Sequence, residues 1–102
     1  MPRTLTAESA AALLAAAMEQ INAQRKKNER VEAAPATILV GPGAALDSLL
    51  LLNFLVAAEE KLRDDHGLEL SLVDLLGQPV AESPLRSVAT LTEHLVAASS
   101  AP

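Results

Sequence analysis

The sequence predicts an all-α fold: a small bundle of three main helices plus a short extra helix, with a long loop between the first and second helices. Three observations carry that prediction. Apolar residues recur at three- and four-residue spacing in three separate segments. Proline and glycine punctuate only the stretches between them. No two extended runs are joined by a hairpin signal. A chain of 102 residues is expected to form one domain, over 1–102, with a single modest core.

The first helix is predicted over residues 6–30. Leu13, Leu14, Ala17, Met18 and Ile21 fall on one face. Thr6 suits the N-cap, and Glu8 suits the positive end of the helix dipole. Arg25, Lys26, Lys27 and Arg30 gather at the other end, where cations match the dipole; the same cluster offers a patch for a phosphate or an acidic partner. The stretch VEAAPATILVGPGAAL, residues 31–46, is read as the long connection. Within it Gly41-Pro42-Gly43 fits a type II turn. Residues 37–40 are expected to be an extended segment lying over the helices, with no evident strand partner.

The second helix is predicted over 47–65, with Gly67 as its C-cap and Leu68 packing back behind it. Leu68, Leu70 and Leu72 alternate. Ser71, with Asp74 three residues on, is read as the cap of a short helix ending at Gly77. Pro79 and Pro84 bracket a loop. The last helix is predicted from Ser87 to Ala97, with Val88, Leu91 and Leu95 toward the core and Thr90 and Glu93 supporting its start. Residues 1–5 and 97–102 are expected to fray.

Composition narrows the function. Eight basic against thirteen acidic residues leave a formal net charge of −5, which argues against a nucleic-acid binder. There is no cysteine, so there are no disulfides and no thiol nucleophile. His66 and His94 form no recognisable metal motif. Phe54 is the sole aromatic residue, which disfavours base stacking. The start, MPRTLTAES, lacks the apolar stretch of a signal peptide. The longest strictly apolar run, Leu49 to Leu52, is far too short for a membrane span. The expectation is a cytoplasmic protein with no membrane or nucleic-acid partner.

The second helix carries two apolar stripes. Leu51, Phe54, Leu55, Ala58 and Leu62 form the expected core face. Leu49, Leu52 and Val56 form another, and Leu50 adds further apolar surface. A three-helix bundle buries one stripe per helix, so the second is expected to be partly exposed for a purpose. The alternative is that the long loop, through Ile38 and Leu39, covers it. Ser48 stands at the mouth of this helix, where unpaired N–H groups and the dipole favour an anion such as a phosphate ester. The plain alternative is that Asp47 or Ser48 is only an N-cap.

Asp-Ser-Leu opens an apolar helix after a long first helix and a long loop, and is followed by Glu-Glu, a Gly-bounded turn and a short closing helix. In this order the chain resembles an acyl carrier protein of the phosphopantetheine-binding carrier family. The resemblance is best over LDSLLLLNFLVAAEEKLRDDHGLEL, residues 46–70, with SPLRSVATLTEHL, residues 83–95, as the closing helix. It implies that Ser48 carries 4′-phosphopantetheine, whose thiol holds acyl intermediates as thioesters. It implies that Asp47 belongs to the modification motif, near the magnesium used during transfer. It places partner docking on Leu49, Leu50, Leu52, Asn53 and Val56. The implied partners are a phosphopantetheinyl transferase, an acyl- or aminoacyl-loading enzyme and downstream synthase or transferase enzymes. The protein would be a monomeric carrier and not an enzyme.

The acid that fatty-acid carriers hold early in this helix is replaced by Leu50 and Asn53. Acid appears only later, at Glu59, Glu60, Asp64 and Asp65. That pattern points to apolar docking, as in polyketide or other specialised-metabolite biosynthesis, with a peptidyl or aminoacyl carrier as the alternative. The start methionine and short tails point to a free-standing carrier. A different class remains open: an unmodified helical interaction module using the second stripe. An enzyme is a poor third, since a serine nucleophile needs a base in reach and no motif supports His66 or His94 in that role. Gly41-Pro42-Gly43 lacks the spacing and lysine of a phosphate-binding loop. Glu59-Glu60 and Asp64-Asp65 are read as a solvated acidic face.

Overall fold

The computed structural model describes residues 5–23 and 25–100. It is an all-α bundle of three helices: α1 (Ala7–Asn22), α2 (Ser48–His66) and α3 (Val88–Ser100). α1 packs against both α2 and α3. Phe54, Leu55 and Leu62 of α2 meet Leu14 and Met18 of α1 and Leu91 and Leu95 of α3 in one core. The short extra helix is a 3-10 turn over Val73–Gly77, and two further 3-10 turns, Val80–Glu82 and Pro84–Arg86, lead into α3.

α1 starts where its cap predicts. Thr6 Oγ1 accepts from Ser9 N at 3.0 Å, and Ser9 Oγ accepts from Thr6 N at 2.9 Å, a reciprocal capping box. The helix ends eight residues earlier than its charge pattern suggested. Asn22 is buried, donates through Nδ2 to Val31 O at 2.7 Å and accepts from Val31 N through Oδ1 at 2.9 Å. Its amide thus acts as a substitute backbone partner and draws the chain away from the helix axis. The last turn of α1 holds no basic residue. Arg25 and Lys26 lie in the connection, Lys27 opens a 3-10 turn, Lys27–Glu29, and Arg30 follows it. They are not the dipole-matching cations they were expected to be.

The extended segment has a partner after all. Ile38 bridges antiparallel to Ser87, with Leu39 N donating to Arg86 O at 3.2 Å and Val88 N to Thr37 O at 3.0 Å. Alternation turns Leu39 into the core and leaves Ile38 exposed. The sequence hid this pairing because one strand is a single residue of a helix approach.

Ser71 does not cap the short 3-10 turn. The N–H groups of Leu72 and Val73 instead donate to Glu59 Oε2, at 2.6 and 3.0 Å, from across the fold on α2. Glu59 therefore leaves the solvated acidic face that was expected of it. α3 opens with a second capping box, Thr90 N to Ser87 Oγ at 3.2 Å and Ser87 N to Thr90 Oγ1 at 3.0 Å. Glu93 is exposed and adds no hydrogen bond there. Of the segments expected to fray, the structure describes Leu5 and residues 97–100. Leu5 is buried and its N–H donates to Ser99 Oγ at 2.8 Å, while α3 runs on to Ser100. Residues 1–4 and 101–102 lie outside the described residues.

Candidate functional site: the start of α2

The loop that delivers Ser48 is pinned at each step. Ala44 N donates to Gly41 O at 3.1 Å around Pro42 and Gly43. Gly43 has φ +83, the left-handed value that the third position of a type II turn requires. Ala45 N then donates to Ile38 O at 2.8 Å, tying the turn to the segment already bridged to Ser87. Leu46, before the cap, and Leu51, four residues after it, are both buried in the core. That pair is the hydrophobic staple that sets the angle at which a chain joins a helix.

Asp47 is the N-cap: its Oδ1 accepts from Leu50 N at 2.8 Å, and its carbonyl accepts from Leu51 N at 2.8 Å. Ser48 is therefore the first helical residue and not the cap. Its side chain is exposed and, among the described residues, its hydroxyl has no hydrogen-bond partner. The N–H groups of Ser48 and Leu49 are likewise unpaired in the first turn. A free hydroxyl and two free N–H groups thus sit at the positive end of a 19-residue helix. They fit a phosphate esterified to Ser48, whose oxygens would meet those donors.

Downstream, α2 splits its apolar residues by phase. Leu51, Phe54, Leu55, Ala58 and Leu62 are buried. Leu49 is 67% exposed, Leu52 36% and Val56 39%, one stripe running from the serine along the open side. With Leu39 in the core and Ile38 outside, the first loop does not bury this stripe. Of the five sequence-predicted docking residues, Leu49, Leu52, Asn53 and Val56 are exposed. Leu50 is half-buried, and with Asn53 and Val56 it lines a cavity on the flank toward the end of α1.

The far end of α2 closes with Gly67 in the left-handed conformation, φ 65, with Gly67 N donating to Arg63 O and Leu68 N to Leu62 O. This is a Schellman ending, with Leu68 packed against the core. His66 stands at this end, 18 residues from Ser48 and so about 27 Å along the axis. It cannot act as a base for that hydroxyl. Among the described residues no helix is long and apolar enough to cross a membrane.

The sequence reading missed Glu59, Leu46 and Asn22. Leu46 had a local signal, an apolar residue directly before the cap. Glu59 and Asn22 act on backbone that local pattern cannot place.

No protein-family model matches the chain. No curated protein and no solved structure matches it either.

Proposed function

We propose that this chain is a carrier of the acyl carrier type, modified with 4′-phosphopantetheine on Ser48. The observation that carries the reading is the placement of Ser48. It is an exposed, unpartnered hydroxyl on the first residue of α2, beside two free N–H groups and at the head of an exposed apolar stripe. An ordinary capping serine would spend its hydroxyl on the helix, but here Asp47 has taken that duty. The order of elements and the Asp-Ser-Leu motif add the resemblance already described.

On this reading Ser48 Oγ displaces adenosine bisphosphate from the pyrophosphate of coenzyme A. A phosphoester forms, and the hydroxyl proton passes to the transferase. The arm's terminal thiol holds acyl groups as thioesters. The chain's own residues do the rest. The first-turn N–H groups and the helix dipole stabilise the phosphate. Asp47 keeps the first turn wound and would lie near the magnesium used in the transfer. Leu49, Leu52 and Val56 offer visiting enzymes an apolar surface. With no acid in the first turn of α2 beyond its cap, docking would be apolar, in keeping with polyketide or other specialised-metabolite synthesis. The protein is then a shuttle, acting in the cytoplasm as a monomer, and the catalysis belongs to its partners.

The test is intact-mass spectrometry after incubation with coenzyme A, magnesium and a promiscuous phosphopantetheinyl transferase, with Ser48→Ala alongside. The expected result is one phosphopantetheine on the wild type and none on the variant. A folded wild type that gains nothing, or a variant that still gains the group, would overturn the reading.

A further inference from the structure

The chain concentrates its positive charge in one place. Half of its eight basic residues fall between Arg25 and Arg30, in a chain whose net charge is −5. That segment is a closed loop. Asn22, at the end of α1, bonds Val31 in both directions, at 2.7 and 2.9 Å, and so holds the two ends of the loop together. Within it Arg25 N donates to Asn22 O and Glu29 N to Lys26 O, both at 2.9 Å. Lys26, Lys27 and Arg30 are exposed, and among the described residues their side chains form no ion pair or hydrogen bond. Glu29 is the one acid inside the loop, so these three cations leave it positive even when Arg25 is set against Glu60 across the groove. Exposed cations of this kind contribute little to the fold. On a backbone already fixed at both ends, they meet a partner at a small cost in entropy.

The loop abuts the open side of α2. Arg25 lines one groove together with Ile21, Asn53 and Val56, and Val56 also belongs to the exposed apolar stripe. The stripe carries no acid of its own, since α2 has none before Glu59. It is thus an apolar strip with a basic edge. At physiological ionic strength charges are screened beyond about 8 Å, so a docked surface meets the local charge of the loop and not the net charge of the chain. We propose that Leu52, Val56 and the loop closed by Asn22 and Val31 form one docking surface, for a protein partner that sets carboxylates beside an apolar helix face. The apolar face covers the strip, and the carboxylates take Lys26, Lys27 and Arg30. This polarity is the reverse of the one a net charge of −5 suggests. It stands whether or not Ser48 is modified.

The test titrates the full, unmodified chain at about 0.15 M salt with an amphipathic helical peptide bearing leucine on one face and glutamate on the other. Its twin, with lysine in place of glutamate, is titrated in parallel. NMR follows the backbone amides of Lys26, Lys27, Arg30, Leu52 and Val56. The glutamate peptide is expected to shift all five saturably and to bind at least about tenfold more tightly than the lysine peptide. Lys26→Gln combined with Lys27→Gln should weaken it by about fivefold to tenfold. Arg86→Glu makes an equal change in net charge in the turn packed on α3, and should leave binding within about twofold of wild type. Glu29→Gln should tighten binding, and Val56→Ser should weaken it. A lysine peptide that binds as well or better would overturn the proposal. So would a Lys26→Gln, Lys27→Gln chain that binds no more weakly than Arg86→Glu, or no shift at any of the five amides. Shifts in the loop with none at Leu52 and Val56 would also overturn it, leaving an anion patch unconnected to the stripe.

Discussion

The two faces of α2 carry the same kind of residue to opposite ends. Leu55 and Leu62 are fully buried, while Leu49, a turn and a half before Leu55, is 67% exposed. Hydrophobicity does not separate them. Phase does: one stripe points at α1 and α3, the other lies on the open side, and among the described residues nothing in the first loop or the 3-10 turns buries it. The buried stripe accounts for stability. The exposed one adds little to the fold, so its presence calls for a use, and it begins beside the one residue of the first turn whose hydroxyl is free.

The comparison can be broken most sharply at the core. Phe54→Ala should destabilise by about 3–5 kcal/mol, read as a fall in the urea midpoint, because the ring is fully buried and its neighbours relax only in part. The next effect belongs to Glu59, the α2 residue that leaves the acidic face to hold the Val73–Gly77 turn. Glu59→Ala strands the N–H groups of Leu72 and Val73 and should cost about 1–3 kcal/mol, with faster amide exchange at both. Glu59→Gln keeps an accepting oxygen and should recover part of that loss. Asp47→Ala removes the N-cap of α2 and should cost about 1 kcal/mol in chemical denaturation. Smallest of all, Leu49→Ser, at a residue 67% exposed, should change stability by no more than about 0.5 kcal/mol. If Leu49→Ser cost as much as Phe54→Ala, the two faces would not be distinct.

What was legible in the sequence was what local pattern governs. The phase of α2, a cap at Asp47 or Ser48, the Pro42-Gly43 turn and the Gly67 ending all rest on residues within a turn of one another. The candidate site was legible for the same reason, since Asp47, Ser48 and the stripe lie on one helix. The failures share a physical cause. Asn22 ends α1 by pairing with Val31, Glu59 caps a turn more than a dozen residues away, and Ile38 finds Ser87 only once α3 is docked. Each is a polar contact between segments, and periodicity carries no information about it. The basic cluster after Asn22 misled for a related reason: helix propensity continues there, but a tertiary hydrogen bond wins.

On the carrier reading proposed above, the most direct test of the two-face account is to measure phosphopantetheine transfer kinetics and unfolding midpoint together on the same variants. Leu49→Ser, Leu52→Ser and Val56→Ser form the exposed series, with Ala11→Ser on the solvent side of α1 as control. The account predicts unfolding midpoints close to wild type for Leu49→Ser and Ala11→Ser, and a modest fall, well short of that of Phe54→Ala, for Leu52→Ser and Val56→Ser. It predicts that kcat/KM for transfer falls about tenfold for at least Leu49→Ser or Leu52→Ser, the size of a docking contact worth about 1.4 kcal/mol, and stays level for Ala11→Ser. Transfer at the wild-type rate in all three stripe variants would contradict it, and the exposed stripe would then have no part in presenting Ser48.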